Sequence, residues 1–204
     1  MASATDALPF DTSIHVRAFV LKRSAGNLLI YNASVLREKE LRADGVERIE
    51  RHYLNHCHEV QFFKPPLDVP LYCHADDAEA VAKETRVSDT FEARGMLDDD
   101  FEIIPIPGHT PGATAYLWND GQDRFLFTGD SVSLSGGDWV AAVLESSDRE
   151  KYVESLARLR DVEFDVLLPW AASKDEPFYA RTNSRDSRQR FDAMIARIRD
   201  GQNH

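Results

Sequence analysis

Short apolar runs end repeatedly in glycine, proline or aspartate turns along this chain, and amphipathic stretches of helical period sit between them. That alternation constrains the fold more than any other feature, because strands interleaved with helices build sheets covered by helices, the α/β class. Residues 14–21 and 28–31 (LLIY) read as strands, and Ser24-Ala25-Gly26-Asn27 between them is turn chemistry, so the two are expected to form a hairpin. Residues 34–43 read as a charged helix closed by Asp44-Gly45, and 51–54 as a short strand that ends at Asn55-His56. A strand over 71–73 follows a Pro-Pro break. A helix over 76–83 comes next, its Asp76 and Asp77 suiting the positive end of the helix dipole. Strands over 101–106, 114–118 and 124–127 are separated by PGHTPG and NDGQD. The helix expected over 148–160 starts with Ser147 and Glu150 as a capping box and lines up Tyr152, Val153, Leu156 and Leu159 on one face. Residues 166–168 read as a buried strand stopped by Pro169, and Phe191, Met194, Ile195 and Ile198 mark the apolar stripe of a last helix.

Composition narrows the function classes. The 204 residues carry 24 basic and 35 acidic side chains, a net charge of −11, which argues against a nucleic-acid or anionic-membrane surface. A chain of this size buries roughly 70% of its unfolded surface and needs no disulfide or metal to hold a core. No repeat, low-complexity tract or linker divides it, so residues 13–204 are expected to form one domain behind a flexible or loosely attached lead over residues 1–12. The opening MASATDALPFDTS has no basic residue and no apolar run of signal-peptide length, and no run approaches the roughly 18 apolar residues of a membrane span. Two cysteines cannot build a disulfide framework, which suits a reducing compartment; a soluble cytoplasmic protein acting on a small molecule is expected.

Three turns at strand ends carry metal-ligand residue types. Asn55-His56-Cys57-His58-Glu59 leaves one strand, and two histidines at i and i+2 converge on an ion when the chain turns there rather than continuing as a helix. In PGHTPG the paired Pro-Gly steps hold His109 rigidly, and Thr128-Gly129-Asp130-Ser131 puts a carboxylate after an apolar strand. Each has a plainer reading alone, since strand-end histidines commonly bond a carbonyl, PGHTPG can be only a turn, and Gly-Asp steps are common. The three in this order are far more specific than any one, and ligands collect where strands end in open α/β sheets.

Read together, NHCHEVQ, PGHTPG, FTGD and LLPWAA resemble the landmarks of the metallo-β-lactamase fold, in its small glyoxalase-II-like type: T-H-x-H-x-D-H, P-G-H-T-P-G, a strand ending in G-D, and L-P-G-H-G. The resemblance runs over about residues 14–172, and SDREKYVESLARLR resembles the family helix that leads into the last landmark. It implies a four-layer αβ/βα sandwich of two mixed sheets with helices outside and metals at one edge. It also implies that His56, His58 and His109 form the first metal site and that Asp130 stands at the metal-bridging aspartate. The positions of the second metal site hold Val60, Gln61 and Ala171, and Asn32 replaces an aspartate frequent after the early strand. The resemblance with these departures implies a degenerate site for at most one ion, zinc, whose chemistry is hydroxide attack on a small ester or thioester. Asp130 either orients the water or closes the coordination shell. Two alternatives follow from the same residues: a mononuclear Fe(II) site like that of persulfide dioxygenases, built from two histidines and Asp130, and a non-catalytic binding protein that retains the fold.

Several neighbours of these motifs have two readings. Glu59 either takes the place of the missing aspartate or is a carboxylate at the surface or behind the site. His74 either approaches the site from the next strand or starts the helix beside Asp76, and Trp170 either fills the volume of the second metal or packs in the core. Cys57 and Cys73 read as free buried thiols, while His15, His52 and His204 read as structural or solvated. The Arg-rich stretch 181–199 reads as a solvated helix face interleaved with acids.

Overall fold

In the computed structural model residues 1–36 and 38–203 are described, residues 38–40 by their backbone alone. The chain opens with β1 (Asp6–Leu8), β2 (Asp11–Val16), β3 (Phe19–Leu21), β4 (Leu28–Ile30) and α1 (Glu38–Ala43). β5 (Arg51–Tyr53), α2 (His58–Phe62), β6 (Leu71–His74), α3 (Ala75–Ala82) and β7 (Asp89–Phe91) follow. β8 (Gly95–Leu97), β9 (Phe101–Pro105), β10 (Thr114–Asn119), β11 (Arg124–Gly129), β12 (Ser133–Ser135) and β13 (Asp138–Val140) make the middle of the chain. The remainder is α4 (Arg149–Arg160), β14 (Val166–Pro169), β15 (Ala171–Ser173), β16 (Ala180–Arg181) and α5 (Ser184–Arg199).

The architecture is the α/β sandwich expected. One mixed sheet has the order β3-β4-β5-β6-β7, antiparallel at β3-β4 and parallel thereafter; the second has the order β16-β14-β11-β10-β9-β8, with one parallel pair, β11-β14. Strand periodicity explains how they stack. Along β3 and β4, Phe19, Leu21, Leu28 and Ile30 join Phe101, Tyr116 and Phe127 of the second sheet in the main core. Val20 and Leu29 point the other way, to a smaller cluster with Leu36, Leu41 and Val46. On the outer side of the second sheet, Tyr152, Leu156 and Leu159 of α4 and Phe191, Met194, Ile195 and Ile198 of α5 are buried.

Where two mixed sheets are expected, the strands form three. The third has the order β1-β2-β15-β12-β13 and stands at one end of the sandwich. It exists because three strand runs bend from one sheet into another: residues 14–21 break at Arg17-Ala18 into β2 and β3, β14 passes through Trp170 into β15, and β11 turns at Asp130 into β12. Residues 1–12 are correspondingly not the loosely attached lead expected. The Met1 ammonium donates to the Val20 carbonyl at 2.9 Å, Ser3 N donates to Ala18 O at 2.9 Å, β1 pairs with β2, and Leu8 is buried. A strand of three residues that stops before Pro9 is too short to show its period in the sequence.

The helix expected over 34–43 is helical from Glu38, with Ser34 and Val35 in a turn and Arg37 outside the described residues. Gly45, at φ +73°, ends it as expected, and Val46 N donates back to Leu41 O at 2.8 Å. At α4 the cap is Asp148, whose carboxylate accepts from Lys151 N at 3.0 Å. Ser147, expected as the cap, instead donates to the His109 carbonyl at 3.1 Å. Among the described residues no helix is long and apolar enough to cross a membrane.

Candidate metal centre

Each metal-ligand candidate sits on a turn that a strand has just delivered to the same edge of the sandwich. His56 leaves β5, His58 is the first residue of α2, His109 lies between β9 and β10, and Asp130 follows β11. The three imidazole rings stand 4.9 to 5.1 Å apart, and one nitrogen of each lies within 4.8 Å of the others. His58 Nδ1 is 3.1 Å from His109 Nε2, and Asp130 Oδ2 is 3.3 Å from His56 Nε2 and 3.7 Å from His109 Nε2. The converging nitrogens are therefore Nε2 of His56, Nδ1 of His58 and Nε2 of His109. The opposite nitrogen of His109 donates to the Ala142 carbonyl at 2.7 Å, which leaves its Nε2 lone pair aimed at the cluster.

The shell behind these groups is denser than the sequence suggests. Glu59 is fully buried and is not at the missing aspartate's place. Its carboxylate accepts from the backbone N–H of Asn32 and Asn55 at 2.7 Å and of His56 at 3.3 Å, and it faces His56 Nδ1 at 3.5 Å. Asp77 does more than answer a helix dipole: Oδ2 accepts from Cys57 N at 2.9 Å and Thr110 Oγ1 at 2.8 Å, while Oδ1 accepts from Gly112 N at 2.8 Å. One buried carboxylate thus ties the His56-Cys57-His58 turn to the PGHTPG turn. Gly112 permits it, because a Cβ there would lie 2.6 Å from Asp77 Cγ. Gly129, at φ +57°, takes a conformation that favours glycine, and a Cβ on it would overlap the Asn55 amide. The start of α4 clamps the same turn, with Asp148 N donating to Gly108 O at 2.9 Å and Ser155 Oγ to Pro107 O at 2.7 Å. For Glu59 the supporting reading, behind the site, is the one seen, while no sequence signal marks Asp77 for its role, which depends on groups brought from other elements.

Burial would lower the pKa of His56, but the Asp130 and Glu59 carboxylates on either side overcome it and push it up to about 10. Burial, helped by the charge on His56, takes both His58 and His109 down to about 4. Burial opposes ionisation of Asp130, yet the imidazoles hold its carboxyl below the usual range. The cluster is thus a buried carboxylate and three imidazoles that hold a positive charge among them. Asp130 Oδ1 and His56 Nε2 are buried with no hydrogen-bond partner. Three imidazole nitrogens and one carboxylate, with His56 Nε2 and Asp130 Oδ1 among them buried and unpartnered, are a donor set that fits a divalent ion of zinc type.

The other positions divide. Val60 packs with Leu54, Leu71, Cys73 and Val81, away from the imidazoles. Trp170 is fully buried with its ring 5.3 Å from that of His56, and its indole N–H donates to the Asn32 carbonyl at 2.7 Å. The Asn32 amide donates to Glu59 O at 3.1 Å and Phe63 O at 2.6 Å. His74 is a helix-start histidine: Nδ1 accepts from Asp76 N at 3.1 Å as the cap of α3. His52 is buried and bonds the Tyr31 carbonyl, Cys57 and Cys73 are free and buried, and His204 lies outside the described residues. Within 181–199, Arg190 pairs with Asp186 and Asp138 and Arg197 with Asp138, as a solvated face does. A cavity of about 390 Å³ opens beside the imidazoles, with His58, His109 and Asp130 at its foot and Gln61, Trp170 and Ala171 in its wall.

Comparisons with known proteins agree with this geometry. The Metallo-beta-lactamase superfamily profile matches residues 34–171. A hydroxyacylglutathione hydrolase of Pectobacterium carotovorum subsp. carotovorum (strain PC1) is 25% identical over 124 residues, 61% of this chain and 40% of that protein, so the chain spans two fifths of the length of such curated relatives. Among solved structures, BJP-1, a subclass B3 metallo-beta-lactamase of Bradyrhizobium japonicum, superposes with a TM-score of 0.65 at 15% identity, covering 93% of this chain and 90% of that one. ETHE1 from Myxococcus xanthus superposes with a TM-score of 0.64 at 13% identity, covering 98% and 91%. A profile match over most of the chain, on the segment that carries the three-histidine cluster, shows that this chain belongs to the metallo-β-lactamase superfamily.

Proposed function

We propose that this protein is a metal-dependent hydrolase of a small ester or thioester, with one ion, zinc, held by His56, His58 and His109 and with Asp130 beside it. The observation that carries the reading is the convergence of three imidazole nitrogens within 4.8 Å of one another, with Asp130 Oδ2 beside two of them and Asp130 Oδ1 buried and unpartnered, at the foot of an open cavity. When bound there, Zn²⁺ lowers the pKa of water to about 7 and so supplies a nucleophile at neutral pH. The chain's own residues do the rest. Asp130 Oδ1 is free to accept the proton of the attacking water and to orient it, while Oδ2 stays beside His56 and His109. Ala142 fixes the tautomer of His109, and the apolar cavity wall keeps bulk water from the reacting carbonyl. Relatives named for hydrolysing hydroxyacylglutathione support thioester or ester chemistry.

A single ion is favoured over two because Val60 is turned into an apolar cluster, Ala171 offers no donor, and the Trp170 ring stands against His56. Both cysteines are free and buried, which supports a reducing, cytoplasmic setting. Iron is the second reading, favoured by the approach of Asp130 to both His56 and His109 as a two-histidine, one-carboxylate set. Metal analysis of protein purified without added metal separates these. About one equivalent of zinc per chain, lost in His109→Ala, is expected from a three-histidine site. One equivalent of iron with iron-dependent oxygen uptake selects the second reading, and a chain free of metal that hydrolyses no ester is a binding protein instead.

A further inference from the structure

The wall of the cavity above the imidazoles is apolar. Leu8 and Phe10 come from the β1–β2 hairpin, Leu134 and Val140 from β12 and β13, Phe62 from α2, and Trp170 closes the inner side. Among the described residues the lining contributes no Lys and no Arg; its one carboxylate is Asp130, and its remaining polar groups are neutral serines, Gln61 and the two histidines. Phe10 is 66% exposed yet its ring packs on Phe62 at 5.0 Å, so the hairpin tip extends the apolar wall outward rather than ending it in polar groups. An anionic group carried on the far part of a substrate would be moved out of water without a cationic partner, against the negative field of a chain whose net charge is −11. A neutral hydrocarbon loses nothing there and gains the burial of its methylenes.

We propose that the cavity selects neutral, apolar acyl chains of medium length, and that it rejects acyl groups whose far end carries a carboxylate, the acyl portion rather than the leaving group supplying the binding energy. The inference rests on the hydrolase reading for its position in a reaction, but the selectivity is a property of the wall. In the cleavage, water adds to the acyl carbon, the bond to the leaving alcohol or thiol breaks, that group departs with one proton of the water, and the other is released to solvent to leave the carboxylate product.

The test uses the full chain loaded with zinc. p-Nitrophenyl acetate, butyrate, hexanoate and the half-ester of adipate share a leaving group and differ only in the acyl chain. Each buried methylene is worth about fourfold, so kcat/KM is expected to rise at least about tenfold from acetate to hexanoate and to fall at least about tenfold from hexanoate to the adipate half-ester. Val140→Phe, which narrows the wall, is expected to lower the hexanoate-to-acetate ratio. In parallel, N-phenylhexanamide and its adipate counterpart, neither of them cleaved, are titrated calorimetrically, and the neutral amide is expected to bind at least about tenfold tighter. Ester cleavage with no chain-length gain, or with the adipate half-ester preferred, overturns the inference and leaves the hydrolase reading standing. Selective binding of the neutral amide without cleavage of any ester upholds the inference and removes the hydrolase reading. Equal binding of the two amides overturns the inference whether or not esters are cleaved.

Discussion

His56 is buried between two carboxylates, with Asp130 3.3 Å from one ring nitrogen and the fully buried Glu59 3.5 Å from the other. Glu59 also accepts three backbone N–H groups that have no other acceptor in view, so its removal disturbs both the fold and the orientation of His56. Glu59→Gln keeps the size and loses the charge; metal affinity measured by chelator competition is expected to fall about 10- to 100-fold, the usual cost of losing a supporting carboxylate. Glu59→Ala strands three buried donors and is expected to cost about 3 kcal/mol in urea unfolding. Spacing along the chain was enough to single out His56, His58, His109 and Asp130 as candidates, because all lie in turns or at a helix start that follow strands. It was not enough to decide between the readings of Glu59, whose partners include Asn32 from beyond a different strand, or of Trp170, whose two readings differ only in what lies beside the ring.

At the scale of elements, the site depends on turns being tied together across the sheet edge. α3 supplies the tie through Asp77, which holds the Cys57, Thr110 and Gly112 groups of two turns at once. Asp77→Ala is expected to lower stability by about 2–4 kcal/mol and to weaken metal binding as well, read as a drop in the urea midpoint and in zinc retained after dialysis. Gly129→Ala places a methyl group into the Asn55 amide at a left-handed backbone position and is expected to abolish soluble folded protein, checked by circular dichroism and size-exclusion chromatography. The long elements with clear periodicity, α4, α5 and the β9–β11 strands, were legible in the sequence. The five-residue α2, the short strands β1, β12, β13, β15 and β16, and the choice of Asp148 over Ser147 as cap were not. Strands of two or three residues show no period and are legible only where an apolar run beside turn residues marks them, as at β4, and a cap is chosen by which oxygen another element draws away, here Ser147 by the His109 carbonyl.

At the scale of the whole molecule, buried histidines set the response to acid. His52 is buried with its pKa lowered to about 4 from 6.5, chiefly by burial. Between those values the unfolded chain binds a proton that the folded chain refuses, so the stability His52 contributes is fully present above about pH 6.5 and is lost as pH falls toward 4. The linked loss is about 3 kcal/mol at the acid limit. Urea midpoints measured from pH 7 to pH 4 are expected to fall less steeply in His52→Gln, which keeps a donor for the Tyr31 carbonyl and cannot titrate; an unchanged slope would count against this assignment. The sequence alone determined the α/β class, the strand-end placement of the imidazoles and Asp130, and the resemblance that the superfamily match bears out, because each is written in local period, turn chemistry and order along the chain. Only the tertiary structure decided that three sheets rather than two carry the strands, that Leu8 and Phe10 of the N-terminal segment line a cavity, and that Glu59 and Asp77 face inward as anchors. Those facts are fixed by contacts between residues far apart in sequence, where burial removes water and leaves each polar group to find its partner on another element.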